Sequence, residues 1–183
     1  MSSAAPIPDC FADQPPVAAE VARGVTRLFC RRDWFAMCEV PLPNGRRADL
    51  VAIDPRGQLT IVEIKVSRAD LVGDGKWRDY LDYCDRFYWA VPQSLCSLLD
   101  EAHFLPDEAG LLVADRYDAA VHREAALRPL SPARRKAEWL NFARRAARRL
   151  CQARQSLGRD DQANRQREAG QEDHRRTHFQ VSS

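Results

Sequence analysis

The sequence predicts an α/β protein whose mixed β-sheet is covered by helices on both faces. Helical and strand patterns follow one another in the order helix, three strands, helix, strand, helix, strand, helix. Short turn sequences join the first three strands, which predicts an antiparallel meander, whereas helices separate later strands and allow parallel pairing. Both faces of the second and third strands are apolar apart from a few charges, as central strands of a covered sheet require.

The first half of the chain supplies one helix and the meander. Pro16 suits a first helical turn, and apolar residues then recur at helical spacing as far as residue 31. Three apolar runs bounded by turn residues follow, and they predict strands at residues 35–42, 46–53 and 59–66. Ser67, with Asp70 three residues later, resembles a capping box, which indicates a short helix after the meander.

The second half alternates helices and strands and ends in a basic helix. Its predicted elements are a helix at 76–85, a strand at 86–91, a helix at 93–101, strands at 110–114 and 119–123, and a helix at 133–150 that starts after Ser131-Pro132. Together with the first half they form one predicted domain over residues 16–151. Residues 1–15 are expected to be flexible, and residues 152–183 are expected to form a disordered polar and basic tail.

Composition excludes membrane and secreted classes. The chain is 45% hydrophobic and 30% charged and contains no run of eighteen apolar residues, and its first residues lack the basic and apolar pattern of a signal peptide, so none is expected. A cytoplasmic protein with no membrane partner is therefore expected. Its six cysteines show no C-x-x-C and no paired metal spacing, so we expect free thiols or small buried hydrophobes rather than a disulfide framework or a zinc site.

Positive charge is concentrated towards the C-terminal end. Residues 131–183 hold thirteen Lys/Arg against six Asp/Glu, a net charge of +7, whereas residues 1–130 hold fifteen against twenty, a net charge of −5. Arginines of the last predicted helix, including Arg144 and Arg148, could follow a nucleic-acid phosphate backbone. The alternative is a solvated charged helix face.

Three charges interrupt the apolar hairpin between residues 49 and 65 and form the candidate site. If the strands leave Arg56 symmetrically, residue i pairs with 112 − i, so Asp49 lies opposite Glu63, and Lys65 joins them on the same face. Carboxylates about 5 Å apart repel one another, and their burial is costly without a cation between them. A divalent metal ion with an ammonium group nearby meets that need, and phosphodiesterases use this combination of groups for catalysis. Only three of the 28 cationic residues are lysine, so a position that needed only positive charge would be expected to carry arginine. A lysine at position 65 therefore indicates a need for the ammonium group itself.

Glu39, on the preceding strand, is predicted to lie outside this cluster. Asn44-Gly45 is a strong tight-turn signal and pairs residue i with 89 − i. That register places Val40 opposite Asp49 and turns Glu39 to the other face of the sheet.

The element order and these residues resemble the PD-(D/E)XK superfamily of restriction-endonuclease-like nucleases. The resemblance implies that Asp49 and Glu63 bind Mg²⁺ or Mn²⁺ and that Lys65 positions or activates the attacking water. It also implies a metal ligand on the first helix, for which Glu20 is the candidate, the alternative being a solvated charge. The family's proline before the acidic residue is absent, because Arg47-Ala48 precedes Asp49.

A narrower resemblance concerns the MmcB-type DNA-repair proteins of bacteria and spans roughly residues 17–150. It is carried by the segments Asn-Gly-Arg-Arg-Ala-Asp-Leu-Val-Ala, Ile-Val-Glu-Ile-Lys-Val-Ser, Lys-Trp-Arg-Asp-Tyr-Leu-Asp-Tyr-Cys-Asp and Phe-Tyr-Trp-Ala-Val-Pro. The resemblance implies a role in the DNA damage response.

Related nucleases place substrate contacts on the helix that follows the metal-binding strand. Lys76 could meet a phosphate there, and Tyr80 could stack on an unpaired base. For Tyr80 and Trp77 core packing is the favoured interpretation, because both lie on the apolar face of the predicted helix.

The predicted function is a metal-dependent DNA nuclease acting in DNA repair. The alternative is a catalytically silent DNA-binding or adaptor protein on the same fold, in which the buried charges form an ion-pair network without catalysis. DNA is the expected partner, and a second copy of the chain or other repair proteins remain open.

Overall fold

The computed structural model describes residues 16–72, 76–99 and 107–155. The predicted flexible N-terminus and residues 156–183 of the predicted tail lie outside these ranges. Residues 152–155, which were included in the predicted disordered tail, are helical instead, because they continue the last helix. The chain divides into two compact units: one spans Asp9–Leu140, and the other includes the helical residues 141–155. All described strands belong to the first unit.

The elements follow the predicted order along the chain. They are α1 (Pro16–Arg31), β1 (Phe35–Pro41), β2 (Arg47–Ile53), β3 (Leu59–Ile64), α2 (Arg68–Val72), a 3₁₀ helix (Trp77–Tyr83), β4 (Arg86–Val91), α3 (Gln93–Leu99), β5 (Ala109–Ala114), β6 (Ala119–Arg123) and α4 (132–155). The short helix predicted after Ser67 is confirmed, and Ser67 caps it, because the backbone N–H of Asp70 donates to Ser67 Oγ at 3.2 Å. None of the described helices is long and apolar enough to span a membrane.

Within the described residues, six strands form one mixed sheet in the order β1-β2-β3-β4-β5-β6. The pairs β1–β2, β2–β3 and β5–β6 are antiparallel, and β3–β4 and β4–β5 are parallel. The predicted α/β class is therefore confirmed. The predicted hairpin register is also confirmed, because Leu50 pairs with Val62 and Ile53 with Leu59.

Both faces of the sheet are covered. The main core lies between α1 and one face, where the helix buries Val21, Val25 and Phe29 against alternate strand residues such as Leu50 and Val62. Because successive strand residues point to opposite faces, Asp49 and Glu63 point to the other face. On that face Trp77 and Tyr80 of the 3₁₀ helix pack against Phe87 of β4, with ring centroids 5.5 and 5.8 Å apart.

The predicted register between β1 and β2 is wrong by one residue. Val40 pairs with Ala48, and Cys38 pairs with Leu50, so residue i pairs with 88 − i. The reason is a three-residue loop in place of the predicted two-residue turn: Leu42 N–H donates to Arg46 O at 2.7 Å, and Gly45 takes the left-handed conformation at φ +82°. One extra loop residue moves every later pairing by one position.

Two smaller predictions are also corrected. The predicted helix at 76–85 is a 3₁₀ helix, whose three residues per turn bring the buried Trp77, Tyr80 and Tyr83 onto one face. Cys38 is buried in the core, as expected of a small hydrophobe, but it is disulfide-bonded, whereas no disulfide is predicted from the sequence.

Candidate active site

Asp49 and Glu63 lie on neighbouring strands, and each is held by the backbone of the other strand. The backbone N–H of Ile64 donates to Asp49 Oδ2 at 2.7 Å, and the backbone N–H of Asp49 donates to Glu63 Oε1 at 3.3 Å. The two carboxylates thus accept bonds that carbonyl oxygens accept elsewhere in a β-ladder. Both side chains are fixed by rigid strands, which is how a preorganised site is built.

A cleft of about 550 Å³ opens beside the two carboxylates. Its lining residues are Asp49, Glu63, Ile64, Lys65, Ala69, Asp70 and Tyr80. Lys65 follows β3, and its backbone N–H continues the sheet by donating to Ala90 O at 2.9 Å. The structure therefore brings the three predicted charges and Tyr80 into one cleft.

The electrostatics of the cleft disfavour the ionised form of Asp49. Burial raises the pKa of its carboxyl group, and the negative charge of Glu39 adds to this rise. The Ile64 N–H and the positive charges of Lys65 and Arg47 act in the opposite direction, but the pKa stays above its ordinary value. A bound cation would relieve this repulsion.

Glu39 lies beside the site, contrary to the prediction that excluded it. Continuing the observed register places Glu39 opposite Asp49, and its carboxylate forms an ion pair with Nε of Arg47. Its backbone has φ +52°, a left-handed value that a non-glycine residue in a strand rarely adopts. A three-residue β1–β2 loop, rather than a two-residue turn, would have placed Glu39 at the site, but the Asn44-Gly45 pattern does not distinguish the two loop lengths.

Glu20 is not brought to the cleft. It lies on α1, which packs against the face of the sheet opposite Asp49, and its Oε1 is 3.9 Å from Nη1 of Arg116. Its side chain is partly exposed, in keeping with the alternative interpretation of a solvated charge.

The predicted nucleic-acid contacts have different surroundings. The Tyr80 ring stacks on Phe87, and its hydroxyl donates to Arg47 O at 3.3 Å. This buried residue therefore packs in the core and also lines the cleft. Lys76 is exposed immediately before the 3₁₀ helix and is not among the cleft-lining residues. Arg144 and Arg148 are exposed on helical residues that belong to the second compact unit.

Asp70 is a cleft residue that the sequence interpretation assigned only to a helix start. Its side chain is exposed at the beginning of α2, close to the end of β3. The Ser67–Asp70 pattern that revealed the cap was the available signal, since a helix starting three residues after Glu63-Ile64-Lys65 must begin at the same edge of the sheet.

The two carboxylates suit a hard divalent cation that needs only a few ligands from the protein. Among the described residues, no three His, Cys, Asp or Glu side chains are grouped as a metal centre. Mg²⁺, however, commonly binds one or two protein carboxylates and fills its remaining positions with water and substrate phosphates. Asp49 and Glu63 provide two such carboxylates beside an open cleft.

Sequence comparison identifies the family. The MmcB-like family, described as DNA repair protein MmcB-like, matches residues 4–157. The chain belongs to the MmcB-like DNA repair family. A solved structure similar to this MmcB-like chain is the SPO1766 protein of unknown function from Silicibacter pomeroyi, which is 42% identical with a TM-score of 0.67. The similarity covers 75% of this chain and 90% of that protein. No curated protein sequence matches the chain.

Proposed function

We propose that this MmcB-like protein is a metal-dependent deoxyribonuclease of the PD-(D/E)XK type that acts in DNA repair. The observation that supports the proposal is the convergence of Asp49, Glu63 and Lys65 in one open cleft. Membership of a DNA repair family supports DNA as the substrate class.

Each residue has a chemical role in this proposal. Asp49 and Glu63 hold a Mg²⁺ or Mn²⁺ ion, which when bound supplies Lewis-acid activation of the scissile phosphate and a more acidic water. Lys65 stabilises the negative charge that develops on the phosphate or positions the attacking water. The backbone bonds to both carboxylates reduce the reorganisation that binding requires.

Substrate affinity in this proposal comes from phosphate contacts outside the cleft. Arg144 and Arg148 are exposed and would release counterions on binding DNA, so affinity would fall steeply with salt. Lys76 is a further exposed cation, close in sequence to the cleft residue Tyr80.

A cleavage assay over branched, damaged and single-stranded DNA, with and without Mg²⁺ or Mn²⁺, tests the proposal. Asp49→Asn and Lys65→Ala should each reduce metal-dependent cleavage by at least about 10²-fold, the usual effect of removing a transition-state contact. Glu20→Gln removes a negative charge, as Asp49→Asn does, and Lys136→Ala removes a positive charge, as Lys65→Ala does. Both residues lie at exposed or half-exposed positions, so these matched controls should leave cleavage unchanged. Equal cleavage by wild type in the absence of divalent metal would refute the mechanism.

A catalytically silent DNA-binding protein is the second candidate. The observation that favours it is the lack of a three-ligand metal cluster among the described residues. Such a protein would bind DNA with a steep salt dependence, cleave none of the substrates, and be unaffected by Asp49→Asn.

A further inference from the structure

Glu39 and Arg47 form an ion pair at the border of the cleft that neither the family nor the proposed mechanism assigns a role. We propose that Glu39 is a positioning residue: it holds the Arg47 guanidinium and so keeps Asp49 available to a divalent cation. This inference rests on the proposed metal-binding function.

Arg47 is the natural competitor for the Asp49 carboxylate. The two residues are separated by one position on β2, so their side chains leave the same face of the sheet. A guanidinium can bind a carboxylate through two hydrogen bonds and occupy both of its oxygens. If Arg47 paired with Asp49 in this way, it would neutralise the charge and cover the atoms that a cation needs.

Glu39 is placed to prevent that pairing. It lies opposite Asp49 on β1, and its carboxylate binds Arg47 through Nε. The Glu39 side chain is only 25% exposed, whereas that of Arg47 is 66% exposed, so the fixed member of the pair is the acid. Without Glu39, the exposed guanidinium would be able to turn towards Asp49.

The backbone carbonyl of Arg47 is fixed from the cleft side. It accepts a hydrogen bond from the hydroxyl of Tyr80 at 3.3 Å, and Tyr80 lines the cleft, so this bond connects the backbone of Arg47 to the cleft. The strand ladder and this bond thus hold the backbone of Arg47, and the ion pair with Glu39 sets the direction of its guanidinium.

Mn²⁺ binding to the full chain without DNA, measured by titration calorimetry, tests this role independently of cleavage. Glu39→Gln should raise the Mn²⁺ dissociation constant about tenfold when Arg47 is present, and at most about threefold in an Arg47→Gln background, a coupling typical of contacting charges. Glu39→Asp provides a second variant: it retains the charge and tolerates φ > 0, but its shorter side chain should release Arg47 and weaken binding. Glu20→Gln is the matched control and should bind Mn²⁺ as the wild type does.

The outcomes separate this inference from the proposed function. Equal weakening by Glu39→Gln in both Arg47 backgrounds would make Glu39 a direct ligand and overturn the inference. Wild-type affinity in both Glu39→Gln and Glu39→Asp would also overturn it, while leaving the metal site intact if Asp49→Asn abolishes binding. Absence of Mn²⁺ binding by the wild type would overturn the proposed function and, with it, this inference.

Discussion

The buried Asp85 carboxylate accepts two hydrogen bonds from the Arg135 guanidinium, Nη1 to Oδ2 at 2.8 Å and Nη2 to Oδ1 at 2.5 Å. The same carboxylate accepts the backbone N–H groups of Leu59 and Leu130 at 2.8 and 2.9 Å. One side chain thus joins the start of β3, the segment after β6 and the first turn of α4. This junction lies at the opposite end of β3 from the cleft.

Asp85→Asn should destabilise the protein by about 3–5 kcal/mol, because it leaves Arg135 without its charge partner in a largely buried position. Asp79→Asn is the matched control, since Asp79 Oδ2 also accepts two hydrogen bonds from one arginine, Nε and Nη2 of Arg46, but at an exposed site. That substitution should cost less than about 1 kcal/mol. Urea unfolding of both variants measures the difference, and equal effects would contradict the structural role assigned to Asp85.

The Asp85 junction should lose its contribution in acid. Burial raises the pKa of the Asp85 carboxyl group, but the Arg135 guanidinium and the Leu59 and Leu130 amides outweigh it and hold the pKa below the ordinary 3.8. A group with a lowered folded-state pKa contributes its full stability above the unfolded value and loses it as pH falls through the folded value. The gap in unfolding free energy between wild type and Asp85→Asn should therefore be constant from pH 7 to 5 and shrink below about pH 4. A gap that is as large at pH 2 as at pH 7 would refute this linkage.

The predictability of this fold depends on the sequence distance between partners. Asp49 and Glu63 belong to one hairpin, so the turn residues alone fixed their register. Asp85 and Arg135 are fifty residues apart, and no local pattern indicates their pairing. The prediction for the face of Glu39 is wrong although its hairpin is local. The sequence identifies the hairpin, but a turn signal such as Asn-Gly does not state how many residues the loop contains.

Gly57 and Gly45 offer a matched pair for separating backbone strain from packing. Both have left-handed backbones, at φ +76° and +82°, but a Cβ on Gly57 would lie 2.6 Å from Cζ2 of Trp139, whereas Gly45 has open space. Trp139 cannot easily move away, because its Nε1 donates to Gly57 O at 2.8 Å. Gly45→Ala should cost about 1–2 kcal/mol for the backbone alone, and Gly57→Ala should cost about 1–3 kcal/mol more. Thermal unfolding provides the comparison, and equal losses would contradict the predicted clash.

DNA affinity should depend on the arginines of the last helix. If Arg144 and Arg148 each neutralise one phosphate, the double variant Arg144→Gln/Arg148→Gln should reduce the slope of log K against log salt by about 2. Arg32 and Arg56 are also exposed, on α1's C-terminal flank and on the β2–β3 turn, and their double Gln variant is the charge-matched control. Fluorescence anisotropy over a series of salt concentrations gives the slopes. The same slope for both double variants would mean that the last helix makes no specific contribution.

Asp49→Asn should make the protein more stable while removing its metal response. The carboxylate is half-buried, lies beside Glu63 and Glu39, and has a raised pKa, so its negative charge opposes folding at neutral pH. Asparagine has nearly the same shape, and its side-chain oxygen can still accept the Ile64 N–H, so the charge is removed without a cavity. We expect the free energy of unfolding to rise by about 0.5–2 kcal/mol, the usual range for a stabilising substitution at a functional site.

Added Mg²⁺ or Mn²⁺ should raise the unfolding temperature of the wild type but not of Asp49→Asn, because only the wild type binds the ion in its folded state. Asp107→Asn, at an exposed position, should change neither quantity. A loss of stability in Asp49→Asn would mean that the carboxylate is paired as part of the core, and the adaptor interpretation would then be favoured over the nuclease.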